Sequence, residues 1–130
     1  MYTNMTTNLM VEDVDASVSF YQSILGFTLV DSVSAQNGGL QFAIVSRDGL
    51  TLMFQSRENL IEEYPNLDTQ AVTPSCTLYI IVDEFDECYR ILREKHVIIA
   101  DVHETFYGAK EFAIMDNTGY VLTFTERKNI

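Results

Sequence analysis

Basic residues are scarce in this chain: eight Lys and Arg stand against nineteen Asp and Glu, a formal net charge of −11 over 130 residues. Such a surface repels phosphate backbones and anionic bilayers, which excludes nucleic acid and the membrane surface as partners. No run of five like charges occurs, which favours solubility as the reading of this acidity; the alternative is attraction of a cationic ligand. Cysteine is nearly absent. Cys76 and Cys88 have neither the close spacing of a redox or zinc pair nor the density of a disulfide scaffold, and read as reduced, inert thiols. The longest apolar run, LYIIV at 78–82, is far below the ~20 residues that span a bilayer. Residues 1–10 (MYTNMTTNLM) lack the basic segment and apolar core of a signal peptide, so the expectation is a cytoplasmic protein. No glycine-rich phosphate cradle precedes a helix, and tryptophan is missing altogether.

What is present is a repeat. Residues 41–56, QFAIVSRDGLTLMFQS, return at 111–126 as EFAIMDNTGYVLTFTE, with Phe42/Phe112, Ala43/Ala113, Ile44/Ile114, Gly49/Gly119, Leu52/Leu122 and Phe54/Phe124 identical and no gap. A fixed-period repeat implies a duplicated unit. Each copy reads as a hairpin whose turn uses glycine, where a positive φ is cheap. An even loop puts Phe42 and Ile44 on the face of Thr51, Met53 and Gln55, with Ala43, Val45, Leu52 and Phe54 opposite. The same parity in the second copy puts Phe112 and Ile114 with Val121, Thr123 and Thr125, away from Leu122 and Phe124.

Upstream of each hairpin the order also repeats. Residues 6–11 read as a strand, Asp15 as the cap of a helix over 16–25 with Val14, Val18, Tyr21 and Leu25 as its buried stripe, and 27–33 as a strand. In the second unit the strand is 76–82, the helix runs from its cap Asp86 to about Lys95 along the stripe Phe85, Tyr89 and Leu92, and the next strand is 97–102. Residues 57–74 connect the two as a surface link with a short helix over 59–64, and 127–130 is a basic tail. The fold class is therefore α+β: tandem βαβββ units, about 4–56 and 75–127, in a single domain.

The phrases LMVEDVDASVSFYQSILGF, YIIVDEFDECYRIL and YGAKEFAIMDNTGYVLTF, in this order, resemble the vicinal oxygen chelate superfamily, which includes glyoxalase I, extradiol dioxygenases and bleomycin-binding resistance proteins. The resemblance implies a curved mixed sheet forming a cup, helices on its convex face, and a homodimer. Leu9, Val11, Leu52, Phe54, Leu78, Ile80, Val82, Leu122 and Phe124 would then pack under the helices. Metal-dependent members hold a divalent ion with His, Glu or Gln, and the matching positions here are Thr6, Met53, Thr77 and Thr123. Neutral hydroxyls and a thioether suit neither Zn²⁺ nor Fe²⁺. The expectation is therefore no metal, no cofactor and no catalytic residue, with His96 and His103 outside the hollow.

What remains is a pocket for a small molecule, with rings from Phe42, Tyr79, Phe106, Tyr107 and Phe112 and polar or soft groups from Asn8, Met53, Gln55, Thr77 and Thr123. For Phe42 and Phe112 the alternative is core packing. The phrases TLYIIVDEFDECY and GAKEFAIMDNTG are most similar to the bleomycin-binding branch, although that branch lines its groove with tryptophan. The resemblance thus implies a metal-independent protein that sequesters an aromatic, cation-biased ligand in a dimer cleft. The rival is a metal-dependent lyase, isomerase or dioxygenase.

Overall fold

The structure, a computed structural model, describes residues 1–127; the expected basic tail lies, from residue 128 on, outside the described residues. The chain divides into two compact units, Met1–Thr73 and Pro74–Ile130. The first contains β1 (Thr7–Val11), α1 (Val14–Ser23), β2 (Thr28–Ser34), β3 (Leu40–Arg47), β4 (Leu50–Ser56) and α2 (Arg57–Glu63), followed by one 3₁₀ turn at Pro65–Leu67. The second contains β5 (Thr77–Val82), α3 (Phe85–Glu94), β6 (Ile98–Glu104), β7 (Lys110–Met115) and β8 (Val121–Glu126). Each unit is an open four-stranded mixed sheet, ordered β1-β4-β3-β2 and β5-β8-β7-β6. Only the β1·β4 and β5·β8 pairs are parallel. The α+β class and the βαβββ order read from the sequence both hold.

In the first unit α1 packs its expected stripe, Val14, Val18, Tyr21 and Leu25, onto Leu9, Val11, Ala43, Val45 and Phe54, all buried. The Tyr21 ring lies 4.9 Å from that of Phe54 and 5.5 Å from that of Phe27. The cap is Asp13, not Asp15: its carboxylate accepts from Ala16 N at 3.0 Å, a contact worth about 0.5–2 kcal/mol. Asp15 instead turns its carboxylate to Leu40 N, 2.9 Å away, and holds the start of β3. The helix spans Val14–Ser23, two residues earlier than expected at each end, and the chain leaves it through Gly26, whose φ of +70° only glycine adopts without strain. Connector residues expected as a mere surface link belong to this unit. Leu60 of α2 is buried, and Glu12 accepts from both Arg57 Nε (3.0 Å) and Val72 N (3.2 Å).

The β3–β4 turn is the two-residue Asp48-Gly49, with φ of 51° and 81°. Both are positive, as the tight hairpin turn requires. Its even length gives the expected parity: Phe42 opposes Gln55, Ile44 opposes Met53, and Ala43 opposes Phe54.

The second hairpin departs from that parity. Five residues, 116–120, separate the paired Met115 and Val121. The Asp116 carboxylate accepts from Thr118 N, Gly119 N and Tyr120 N at 2.9, 3.0 and 2.9 Å, while Asp116 N donates to Tyr120 O. An odd loop slides the register by one residue, so Phe112 opposes Phe124 and Ile114 opposes Leu122. Both were expected on the face of Thr123, and both instead lie fully buried on the α3 side. Phe112 stacks on Phe124 at 5.0 Å and meets Phe85 and Tyr89 edge-on at 5.2 and 5.3 Å. This aromatic cluster also draws Phe85 into α3, so the helix starts one residue before the expected cap. Asp86 sits in the first turn and pairs with Lys110 at 3.2 Å.

Of the four edge strands, β2 and β6 are irregular, with register shifts at Leu29/Asp31, Val33/Ser34, Ile98/Ala100 and Ala100/His103. No helix among the described residues is long and apolar enough to cross a membrane.

Phe112→Ala is expected to cost about 3–5 kcal/mol in chemical denaturation, as for Phe54→Ala, because each empties a fully buried site. Phe42→Ala, at a half-buried position, should cost clearly less.

Candidate functional site

In the first unit, the face turned away from α1 gathers four of the expected residues. The parallel register sets Asn8 beside Met53, and Gln55 lies between Met10 and Phe42. The polar groups form a chain: Asn8 Nδ2 donates to Gln55 Oε1 (2.9 Å), and Gln55 Nε2 donates to Asn59 Oδ1 (2.7 Å). Gln55 is 5% exposed with both ends of its amide engaged. A buried amide that is satisfied in this way fixes its neighbours.

The face of the second unit turned away from α3 brings Tyr79 and Thr123 opposite one another, with Ala113 beyond Thr123. Thr77 lies at the exposed start of β5. Phe106 and Tyr107 occupy the loop 105–109, ring to ring at 5.0 Å, with Phe106 wholly exposed. Phe112 is not part of this face.

One residue that sequence reasoning missed organises it. Glu111 opposes Thr125 because of the same one-residue slide that buries Phe112. Its Oε2 accepts from Tyr79 OH at 2.5 Å and from Tyr107 OH at 2.6 Å. Across the sheet it is paired with His103, which the sequence set outside the site. β6 runs on through Glu104, beyond the expected end at 102, and so carries His103 alongside β7. The signal in the sequence was Asp116 before an Asn-Thr-Gly turn, a side chain able to bind the backbone ahead of it and lengthen the loop.

Glu111 is 6% exposed and still ionised. Burial pushes its pKa up, but the hydrogen bonds from Tyr107 and Tyr79 and the positive charge of His103 outweigh that, and the net shift is downward. A carboxyl depressed in the fold stabilises it above the ordinary value near 4.5, and that contribution is lost as pH falls through the lower, folded value. Both phenols use Oε2, so Oε1 carries no hydrogen bond among the described residues. No buried side-chain N or O lacks a partner there, so Oε1 is open to solvent.

At Thr6, Met53, Thr77 and Thr123 the two faces offer hydroxyls and a thioether, a donor set that does not fit a divalent ion of the zinc or iron type. Among the described residues no three His, Cys, Asp or Glu side chains converge.

Two open βαβββ sheets in tandem, each with a helix on one face and a polar, ring-bearing opposite face, define a class of paired-module α+β proteins. The chain belongs to the Glyoxalase/Bleomycin resistance protein/Dioxygenase superfamily, whose sequence profile matches residues 4–124. Solved structures of similar fold include TioX from Micromonospora sp. ML1, 19% identical over 98% of this chain and 100% of that one, with a TM-score of 0.74. Lactoylglutathione lyase from Agrobacterium tumefaciens is 19% identical over 95% and 92%, at 0.73. A glyoxalase-related enzyme from Fulvimarina pelagi is 17% identical over 98% and 89%, at 0.75. At these identities the likeness is one of fold. No curated protein matches the sequence.

The Tyr107 phenol is pushed up to about 12, from an ordinary 10, mainly by its bond to Glu111, so it should stay protonated through the pH range where free tyrosine ionises. Titration of ¹³Cζ-tyrosine resonances should show Tyr107 ionising late, alongside Tyr89, which its bond to Asp101 also raises, and Glu111→Gln should return Tyr107 alone toward the ordinary value. Ionisation of Tyr107 near 10 in the parent protein would mean that the Tyr107–Glu111 bond does not form.

Proposed function

We propose that this protein is a metal-independent binder of a small aromatic cation, sequestering it as a homodimer in the manner of the bleomycin-resistance branch. The observation that carries this reading is Glu111: a nearly buried carboxylate, kept ionised by two phenols, with one oxygen uncommitted. Tyr79 and Tyr107, each about half exposed, supply ring faces next to that charge. A cation over an aromatic face gains about 0.5–2 kcal/mol, and a flat ligand gains about 0.5–1.5 kcal/mol more by stacking. Thr123, Thr77 and the exposed Phe106 border the same face and would complete the contacts. On the first unit Asn8, Phe42 and Met53 provide a second surface of amide, ring and thioether, with Gln55 as their anchor.

The net charge of −11 draws cations from solution and disfavours anions, in keeping with this assignment. The rival reading, a metal-dependent lyase, isomerase or dioxygenase, is supported by likeness of fold alone. The hydroxyl and thioether donors at the four matching positions argue against it.

Thermal shift across a panel of planar organic cations, their neutral isosteres and Ni²⁺, Zn²⁺, Mn²⁺ and Fe²⁺ tests the assignment. Cations should raise Tm and neutral isosteres should not. Stoichiometric retention of a divalent metal in protein purified without chelator would overturn it. Tyr79→Ala should weaken the best cation about tenfold, about 1.4 kcal/mol, and lower Tm of the unliganded protein somewhat, because Glu111 loses one of its two phenol donors. Binding should also weaken as salt is added.

A further inference from the structure

A groove in the first unit is lined by residues other than the ring-bearing ones assigned above, and shares only Asn59 with the amide chain. It has a volume of about 590 Å³ and runs between the 35–39 loop and α2, lined by Ser34, Gln36, Asn37, Gln41, Glu58, Asn59 and Glu62 among others. Its chemistry is uniform: amides, hydroxyls and two carboxylates, with no cation and no ring.

Both walls are held from behind. The loop is closed by Ala35 N to Gly39 O (2.9 Å) and Gly38 N to Ala35 O (3.3 Å), and Asp15 binds the backbone where it rejoins β3. Gly39, at φ +72°, sits so close to the Asp15 carboxylate that a Cβ would come within 3.0 Å of it. On the other side, Ser56 Oγ caps α2 through Asn59 N (3.2 Å), Leu60 is buried, and Arg57 is tied to Glu12. Asn59 is oriented as well. Its Oδ1 is taken by Gln55, so its amino group is left as a donor to the groove.

The tips of the lining residues, by contrast, are uncommitted. Gln36, Asn37, Gln41, Glu58 and Glu62 make no side-chain hydrogen bond or ion pair among the described residues. Rigid walls with unspent hydrogen-bonding groups lower the ordering cost of binding. Glu58 and Glu62 are one helical turn apart and so face the same way. Amides that both donate and accept match hydroxyl groups, which do the same. Carboxylates accept strongly from hydroxyls and more strongly from an ammonium.

From this combination we infer that the groove is a binding site for a polyhydroxylated amine of amino-sugar type, with Glu58 and Glu62 taking the ammonium and Gln36, Asn37, Gln41 and Asn59 the hydroxyls. The site is separate from the phenol–carboxylate face and needs no contribution from it. A neutral sugar lacks the charge contact, and a simple polyamine lacks the hydroxyl contacts.

The test is an ¹H–¹⁵N titration of the full chain with the glucosamine disaccharide, with cellobiose as its neutral counterpart and spermidine as a hydroxyl-free cation. The amino disaccharide should shift the side-chain amides of Gln36, Asn37, Gln41 and Asn59 and saturate, with cellobiose and spermidine each at least about tenfold weaker. Glu62→Gln should weaken it about tenfold, while Glu63→Gln, which removes the same charge from the same helix outside the groove, should not. Equal binding of spermidine, equal binding of cellobiose, shifts confined to other residues, equal effects of the two variants, or no saturable shift would each overturn the inference.

Discussion

The arrangement of the second unit depends on one carboxylate that touches no ligand. Asp116 gathers three successive backbone N–H groups, and in doing so makes the β7–β8 loop five residues long. Side chains alternate along a strand, so an odd loop assigns every residue of β7 to the face opposite the one that an even loop would give it. With it, Phe112 and Ile114 enter the core beneath α3 and Glu111 arrives among the phenols. A two-residue turn would bury Glu111 under the helix and expose Phe112. Several kcal/mol of apolar burial therefore reinforce the register that the loop selects.

The two copies of the repeat have consequently diverged more than their identities indicate. Where the first unit sets a chain of neutral amides, Asn8–Gln55–Asn59, the second sets a charged carboxylate shared by Tyr79 and Tyr107. The amide chain satisfies both ends of the Gln55 amide and serves as scaffold. The carboxylate keeps one oxygen free of hydrogen bonds, which is what the proposed receptor role uses. Fixed charge of this kind is effective because burial leaves little water to screen it, while the phenols provide the hydrogen bonds that keep it ionised.

Much of the fold was legible in the sequence because its signals are redundant: a repeat, two helical stripes and glycine turns all point to the same βαβββ order. The first hairpin was legible down to its side-chain facing, since the two loops open to it, Asp48-Gly49 and Ser46–Gly49, are both even in length. The second was not, because a gapless alignment of the copies carries the parity of one turn onto the other and hides the bonds of Asp116. Helix starts were displaced for a related reason. Asp13 and Asp15 are both able to cap α1, and only the tertiary contact of Asp15 with Leu40 separates their roles. The facing of Asn8, Met53, Gln55 and Tyr79 followed from strand alternation alone. Glu111 and His103 depended on the register of β7 and on the length of β6, which local pattern does not fix.

Sequestration is stoichiometric, so a protein that works this way has to accumulate to the level of what it removes. At high copy number the danger is sideways zippering of exposed strands into fibrous aggregates. The broken registers of β2 and β6 deny a neighbouring molecule a straight, continuous ladder at one edge of each sheet, while β1 and β5 form the other, regular edges. Mutual repulsion among like-charged copies adds to the effect. Irregularities that look like defects in the sheet would thus raise the amount of this protein a cell can carry.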